Sequence, residues 1–111
     1  MLEIRNNDIY LTRGDTAQLT IGIRNDVTSM DYEMQPTDAL HLTVRRQPSA
    51  ESMVLISKVA VGNCDIKLTP DDTAKISTGR YVYDAELHTG DDVYTVIQCK
   101  TFNLLPEVPM L

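Results

Sequence analysis

The chain has 111 residues, a formal net charge of −6 and a pI near 4.7. Its 42% hydrophobic and 23% charged residues are ordinary for a globular domain, so disorder is excluded and one core suffices. No basic cluster exceeds Arg45-Arg46, which argues against binding a phosphate backbone.

The N-terminal stretch "MLEIRNNDIY" turns polar within a few residues. Neither a secretion signal nor a membrane span is expected from it, which places synthesis in a cytoplasm. From there the dominant period is two. In "DIYLTRGD" Ile9 and Leu11 fall on one side, Tyr10 and Thr12 on the other. In "TAQLTIGIRN" Ala17, Leu19, Ile21 and Ile23 alternate with polar residues. The polar stretch 25–38 is a long loop. In "ALHLTVRRQP" Leu40, Leu42 and Val44 alternate with His41, Thr43 and Arg45. Such alternation marks antiparallel strands with one face on a core. "MVLISKVAV" is nearly all apolar and is expected to be covered on both faces. "CDIKLT" adds Ile66 and Leu68.

One short helix is predicted in "LTPDDTAKIS". Thr69 can cap it, Pro70 fits its first position, and Asp71 and Asp72 suit its positive end. Gly79 is expected to end that segment. Two strands then form a hairpin through "HTGDD", with Leu87 opposite Val93, Ala85 opposite Thr95, Tyr83 opposite Ile97 and Tyr81 opposite Cys99. This register buries the tyrosines of "YVYDAELH" and leaves Val82, Tyr94 and Val96 outside, beside Asp84 and Glu86, whereas a shift by one residue would instead bury Tyr94 and Val96. Those three apolar residues are the candidate protein contact. The whole pattern, seven or eight short strands with one crossover helix, reads as a single all-β domain over 1–111, a sandwich or partly open barrel.

No residue set points to catalysis, a cofactor or a metal. Asp84, Glu86 and His88 share one strand face, but that face lies opposite the core and reads as solvated. His41 and His88 fall on outward phases, with no HxH or HExxH spacing. Asp71-Asp72 and Asp91-Asp92 are explained by a cap and a turn rather than a calcium loop. No nucleophile elbow or phosphate loop occurs. Cys64 and Cys99 are too few for a disulfide framework, and their pairing stays open.

Several stretches resemble small β-sandwich proteins of phages and prophages of Gram-positive bacteria. The likeness is also to the immunoglobulin-like N-terminal domain of phage baseplate upper proteins. It is carried by the "TRGD" turn, a turn before "LTVR", the "TPDDT" helix start, the "GRYVYD" strand followed by "TVI", and a final "FNL". Thr37-Asp38 stands where Gly-Asp would be expected. The baseplate proteins also continue into a helical, receptor-carrying region, whereas this sequence ends in "LLPEVPML". The resemblance implies an immunoglobulin-like antiparallel β-sandwich. It implies a non-enzymatic adaptor or assembly module of a tail or baseplate, made in the bacterial cytoplasm. Its partners would be other phage structural proteins and copies of itself, with no nucleic acid and no membrane. Rival readings are a carbohydrate or cell-surface binder, which would need Tyr10, Tyr32 and Tyr94 to converge, and a small acidic inhibitor of a host protein.

Overall fold

The alternating segments become strands in a computed structural model that describes residues 2–49 and 51–107. The strands are β1 (Leu2–Arg5), β2 (Asp8–Thr12), β3 (Ala17–Thr20), β4 (Arg24–Asn25), β5 (Met30–Asp31), β6 (Ala39–Arg45), β7 (Val54–Val61), β8 (Asp65–Leu68), β9 (Gly79–Thr89) and β10 (Asp92–Leu105). Among the described residues there is one short helix, α1 (Pro70–Ala74), and it joins β8 to β9. Residues 108–111, within the expected single domain, lie outside the described residues.

Six strands form one sheet in the order β1-β2-β10-β9-β6-β7. All its pairings are antiparallel except β2 with β10, where Ile9 faces Phe102 and Leu11 faces Leu104. One face of this sheet carries Ile9, Leu11, Leu40, Leu42, Tyr83 and Phe102, all buried. β3 and β8 make a separate ladder, and its Ala17, Leu19, Ile66 and Leu68 join the same apolar cluster. The core therefore lies between the large sheet and this small one. The protein is all-β apart from α1.

Among the described residues ten strands form rather than seven or eight, since β1, β4 and β5 are not legible in the sequence. Asn6 and Asn7 both adopt positive φ between β1 and β2. A two-residue type I′ turn requires this, and asparagine tolerates it. β4 and β5 are two residues each inside the stretch expected to be a plain loop. β7 is not covered on both faces. It is the sheet's edge, with Ile56 and Ala60 inside while Val54, Val59 and Val61 remain exposed.

The helix begins as expected and stops early. The Asp72 carboxylate accepts the Thr69 amide at 2.7 Å and lies 2.8 Å from the Lys58 ammonium. The segment ends at Ala74 with Lys75 as its last cap, so Gly79 does not terminate it but opens β9. α1 is locked to the "TRGD" turn. The Gly14 amide donates to Thr73 Oγ1 at 2.9 Å, and the Arg13 guanidinium donates to the Ala74 carbonyl at 2.9 Å. Two of the motifs that carry the sequence resemblance thus touch each other and serve the scaffold.

Candidate functional site: an open strand edge beside a tyrosine-lined cleft

The β9–β10 hairpin turns through Gly90 and Asp91, with Asp92 paired to Thr89. Gly90 has φ +58, which a tight two-residue hairpin turn needs at that place. From there Tyr94 faces Leu87, Ile97 faces Ala85, Lys100 faces Tyr83 and Phe102 faces Tyr81. This corrects the expected register of Leu87 with Val93. The two-residue turn sets that shift at the tip, and two irregularities move the register further along β10, one between Thr95 and Ile97 and one between Ile97 and Lys100. Each inserts an extra residue on β10, so one period-two phase cannot describe the strand. The second is held from the neighbouring strand: the Cys99 amide donates to Asp84 Oδ1 at 2.7 Å, and Cys99 itself has φ +53.

The corrected register separates the candidate contact residues. Val82 pairs with Thr101 and Arg45, on the face away from the core. Tyr94 is opposite Leu87, at the other end of the hairpin and on the core-side phase. Val82, Tyr94 and Val96 therefore do not form one patch. Tyr94 and Val96 do meet, in a cleft of about 740 Å³ between the start of β10 and the segment 22–27. Its apolar walls are Ile23, Val27, Leu87, Tyr94 and Val96, and Tyr32 also lines it. A smaller recess of about 140 Å³ adjoins it, sharing Gly22 and Val96 and reaching Leu19, Tyr83 and Ile97.

Beside the cleft, β10 is open. On its far side from β9 it pairs with β2 only from Phe102 to Leu105. Among the described residues, no strand pairs with that side from Asp92 to Thr101. An unpaired strand edge presents alternate backbone donors and acceptors to any chain laid alongside. Val93 and Tyr94 are each 53% exposed there.

The cleft is braced from below. Asp38, 2% exposed, accepts a hydrogen bond from the Tyr32 hydroxyl and one from the Gln35 amide at 3.0 Å. The Tyr32 bond, with the Gln35 amide, holds the Asp38 carboxyl below its usual value, and the same bond pushes the Tyr32 phenol up. The Asp38 carbonyl also accepts the Gly62 amide. Asp38 is thus a structural carboxylate, fixing the loop from which Tyr32 enters the cleft.

The other polar candidates lie on the sheet's outer face. His41 and His88 rings touch, with centroids 3.9 Å apart, and Glu86 Oε1 is 3.5 Å from His88 Nε2. Burial, then the neighbouring His88, lowers the pKa of His41, against an opposing pull from Glu86. Asp84 is spent on the Cys99 amide. Among the described residues, no three His, Cys, Asp or Glu side chains gather as a metal-holding group. Of the three rings a sugar platform would need, Tyr32 and Tyr94 share the cleft. Tyr10 stands apart on β2, with the Arg5 guanidinium 5.3 Å from its ring. Cys64 and Cys99 are unbridged, Cys64 half-buried and Cys99 exposed. Among the described residues, no helix is long and apolar enough to cross a membrane.

Comparison of the chain with protein-family models, with characterised proteins and with solved structures returned no match.

Proposed function

We propose that the chain is a non-enzymatic assembly or adaptor module of a phage tail or baseplate, built on an immunoglobulin-like sandwich. It docks neighbouring proteins through the open edge of β10 and the cleft next to it. The observation that carries this reading is that edge: among the described residues, the side of β10 away from β9 has no partner strand from Asp92 to Lys100, where Val93 and Tyr94 are exposed. A chain added to such an edge gains main-chain hydrogen bonds, and the adjoining cleft selects among side chains. The phage setting is supported by the sequence resemblance alone. Its "TRGD" and "TPDDT" elements are scaffold contacts between Gly14 and Thr73, as a shared fold would require. Made in the bacterial cytoplasm, the chain would join a tail or baseplate with other phage structural proteins.

The test is mass spectrometry of particles released by a lysogen carrying this gene. The chain should be present in purified tails, and Tyr94→Glu should deplete it without unfolding it. A protein absent from every particle fraction would overturn the reading. A second reading, glycan binding, draws support from Tyr32 and Tyr94 sharing a cleft with Arg24, Asn25 and Asp26. Glycan-array binding that Tyr94→Ala abolishes would favour it; an array without binding removes it.

A further inference from the structure

The cleft and the recess beside it form one groove along the open side of β10, and they meet at Gly22 and Val96. Nothing in the fold demands a glycine at position 22. Its φ is not positive, and a Cβ built there would meet no heavy atom beyond its chain neighbours within 4 Å. A missing side chain, where conformation and packing would both accept one, leaves room for a second backbone to pass close by.

The first bulge of β10 shapes the same place. Between Thr95 and Ile97 the strand carries an extra residue, so Val96 and Ile97, neighbours in the chain, both line the recess. Bulges re-aim side chains in this way. Leu19, Ile21 and Tyr83 line it as well. At about 140 Å³ the recess matches an aliphatic-lined cavity of about 150 Å³, which takes a benzene-sized group. It therefore fits one Leu, Ile or Phe side chain. The mouth of the groove is acidic. Asp26 lines the cleft, and Asp92, opposite Thr89, points to the same face as Tyr94. Both are exposed, and among the described residues neither has an ion-pair partner. Arg24 also lines the cleft, but its guanidinium donates to the Ser29 carbonyl at 3.3 Å. The net charge of −6 adds a general pull on cations.

We infer that the groove holds an extended, cationic segment of a partner protein, with one aliphatic or aromatic side chain in the recess and a lysine or arginine beside Asp26 and Asp92. The inference rests on the reading of β10 and its cleft as the docking site, and names the chemistry of what docks there. The segment's backbone passes over Gly22. It pairs with β10 only along Asp92–Thr95, where the register is unbroken, and from Val96 onward side-chain burial takes the place of a ladder.

The experiment is selection from random linear peptides against the purified chain, followed by fluorescence anisotropy of a selected peptide. Selected sequences should join a Leu, Ile or Phe to a nearby Lys or Arg. Replacing that apolar residue by Ala should weaken binding roughly tenfold or more. Gly22→Phe fills the junction and should weaken binding by a similar factor while leaving the urea midpoint at its wild-type value. Asp26→Lys combined with Asp92→Lys should weaken a cationic peptide roughly tenfold and shift preference toward its Glu-flanked version. A selection that yields no binder, or only acidic ones, overturns the inference, as does binding that Gly22→Phe leaves untouched. A dimer of the chain that Gly22→Phe dissociates would make a second copy the occupant and also overturn it. A Gly22→Phe chain that still enters tail particles, where Tyr94→Glu does not, would overturn the bound segment and leave the docking reading standing.

Discussion

Thr73 is fully buried, and its hydroxyl joins the "TRGD" turn to α1 alongside the Arg13 guanidinium. Thr73→Val keeps the volume and removes the acceptor of the Gly14 amide. A buried amide left without a partner costs about 1–3 kcal/mol. Thr73→Ser keeps the acceptor and removes one methyl group, which costs about 1 kcal/mol from lost apolar burial. The two variants thus separate hydrogen bonding from packing at one atom. Urea unfolding followed by circular dichroism gives both values, provided the slope with denaturant is unchanged. Thr73→Val should be the more destabilising of the two. If Thr73→Ser costs more, the methyl rather than the hydroxyl holds the two motifs together, and the reasoning fails.

Strand phase is tested by Leu42→Ala against Thr43→Ala. Leu42 is fully buried between Ala85 and Lys58, so its truncation should cost about 2–5 kcal/mol, while Thr43 on the outer face should cost below about 1 kcal/mol. Stability should also fall in mild acid through His41. Its folded pKa lies below 6.5, so the unfolded chain binds the proton first, and stability present above pH 6.5 is lost as pH falls from there toward the folded value. His41→Gln should remove that slope; an unchanged slope assigns it elsewhere. Asp38 acts at lower pH: its depressed carboxyl contributes stability above pH 3.8 that is lost as pH falls through the folded value, and Asp38→Asn should flatten that limb of an acid titration. Finally, a maleimide should label exposed Cys99 before Cys64, whose thiol burial and Asp65 push upward in pKa; equal rates would contradict the placement of Cys64.

Much of the sheet could be read from period two. The buried phases of β2, β6, β8 and β9 are those of Ile9 and Leu11, of Leu40, Leu42 and Val44, of Ile66 and Leu68, and of Tyr81 to Leu87. What failed did so for physical reasons. β10 holds inward residues at Ile97 and then at Phe102 and Leu104, an odd number followed by even ones. That break in parity was present in "TVIQCKTFNLL" and is the signature of a bulge, but bulges depend on the partner strand, here on Asp84 reaching the Cys99 amide. β7 was read as doubly covered because its residues are apolar, yet strand order decides coverage, and β7 lies at the edge. The parallel pairing of β2 with β10 joins residues some ninety positions apart, which no local pattern encodes. The open edge of β10 follows from that pairing, since β2 begins at Asp8, its Ile9 stands opposite Phe102, and the part of β10 before Phe102 runs past the start of β2. The cleft was missed for a similar reason. It needs the segment 22–27, a polar stretch in sequence, to fold back against Tyr94 and Val96.

The central claim is that this molecule makes its contacts through the unpaired stretch of β10. Amide hydrogen exchange by mass spectrometry, at rising protein concentration and then in assembled particles, locates a contact without any substitution. The account expects peptides covering 93–100 to slow on association while peptides covering β7, residues 54–61, keep their rates. Protection confined to β7, or to the outer-face residues around His41 and His88, with 93–100 unchanged, would contradict it.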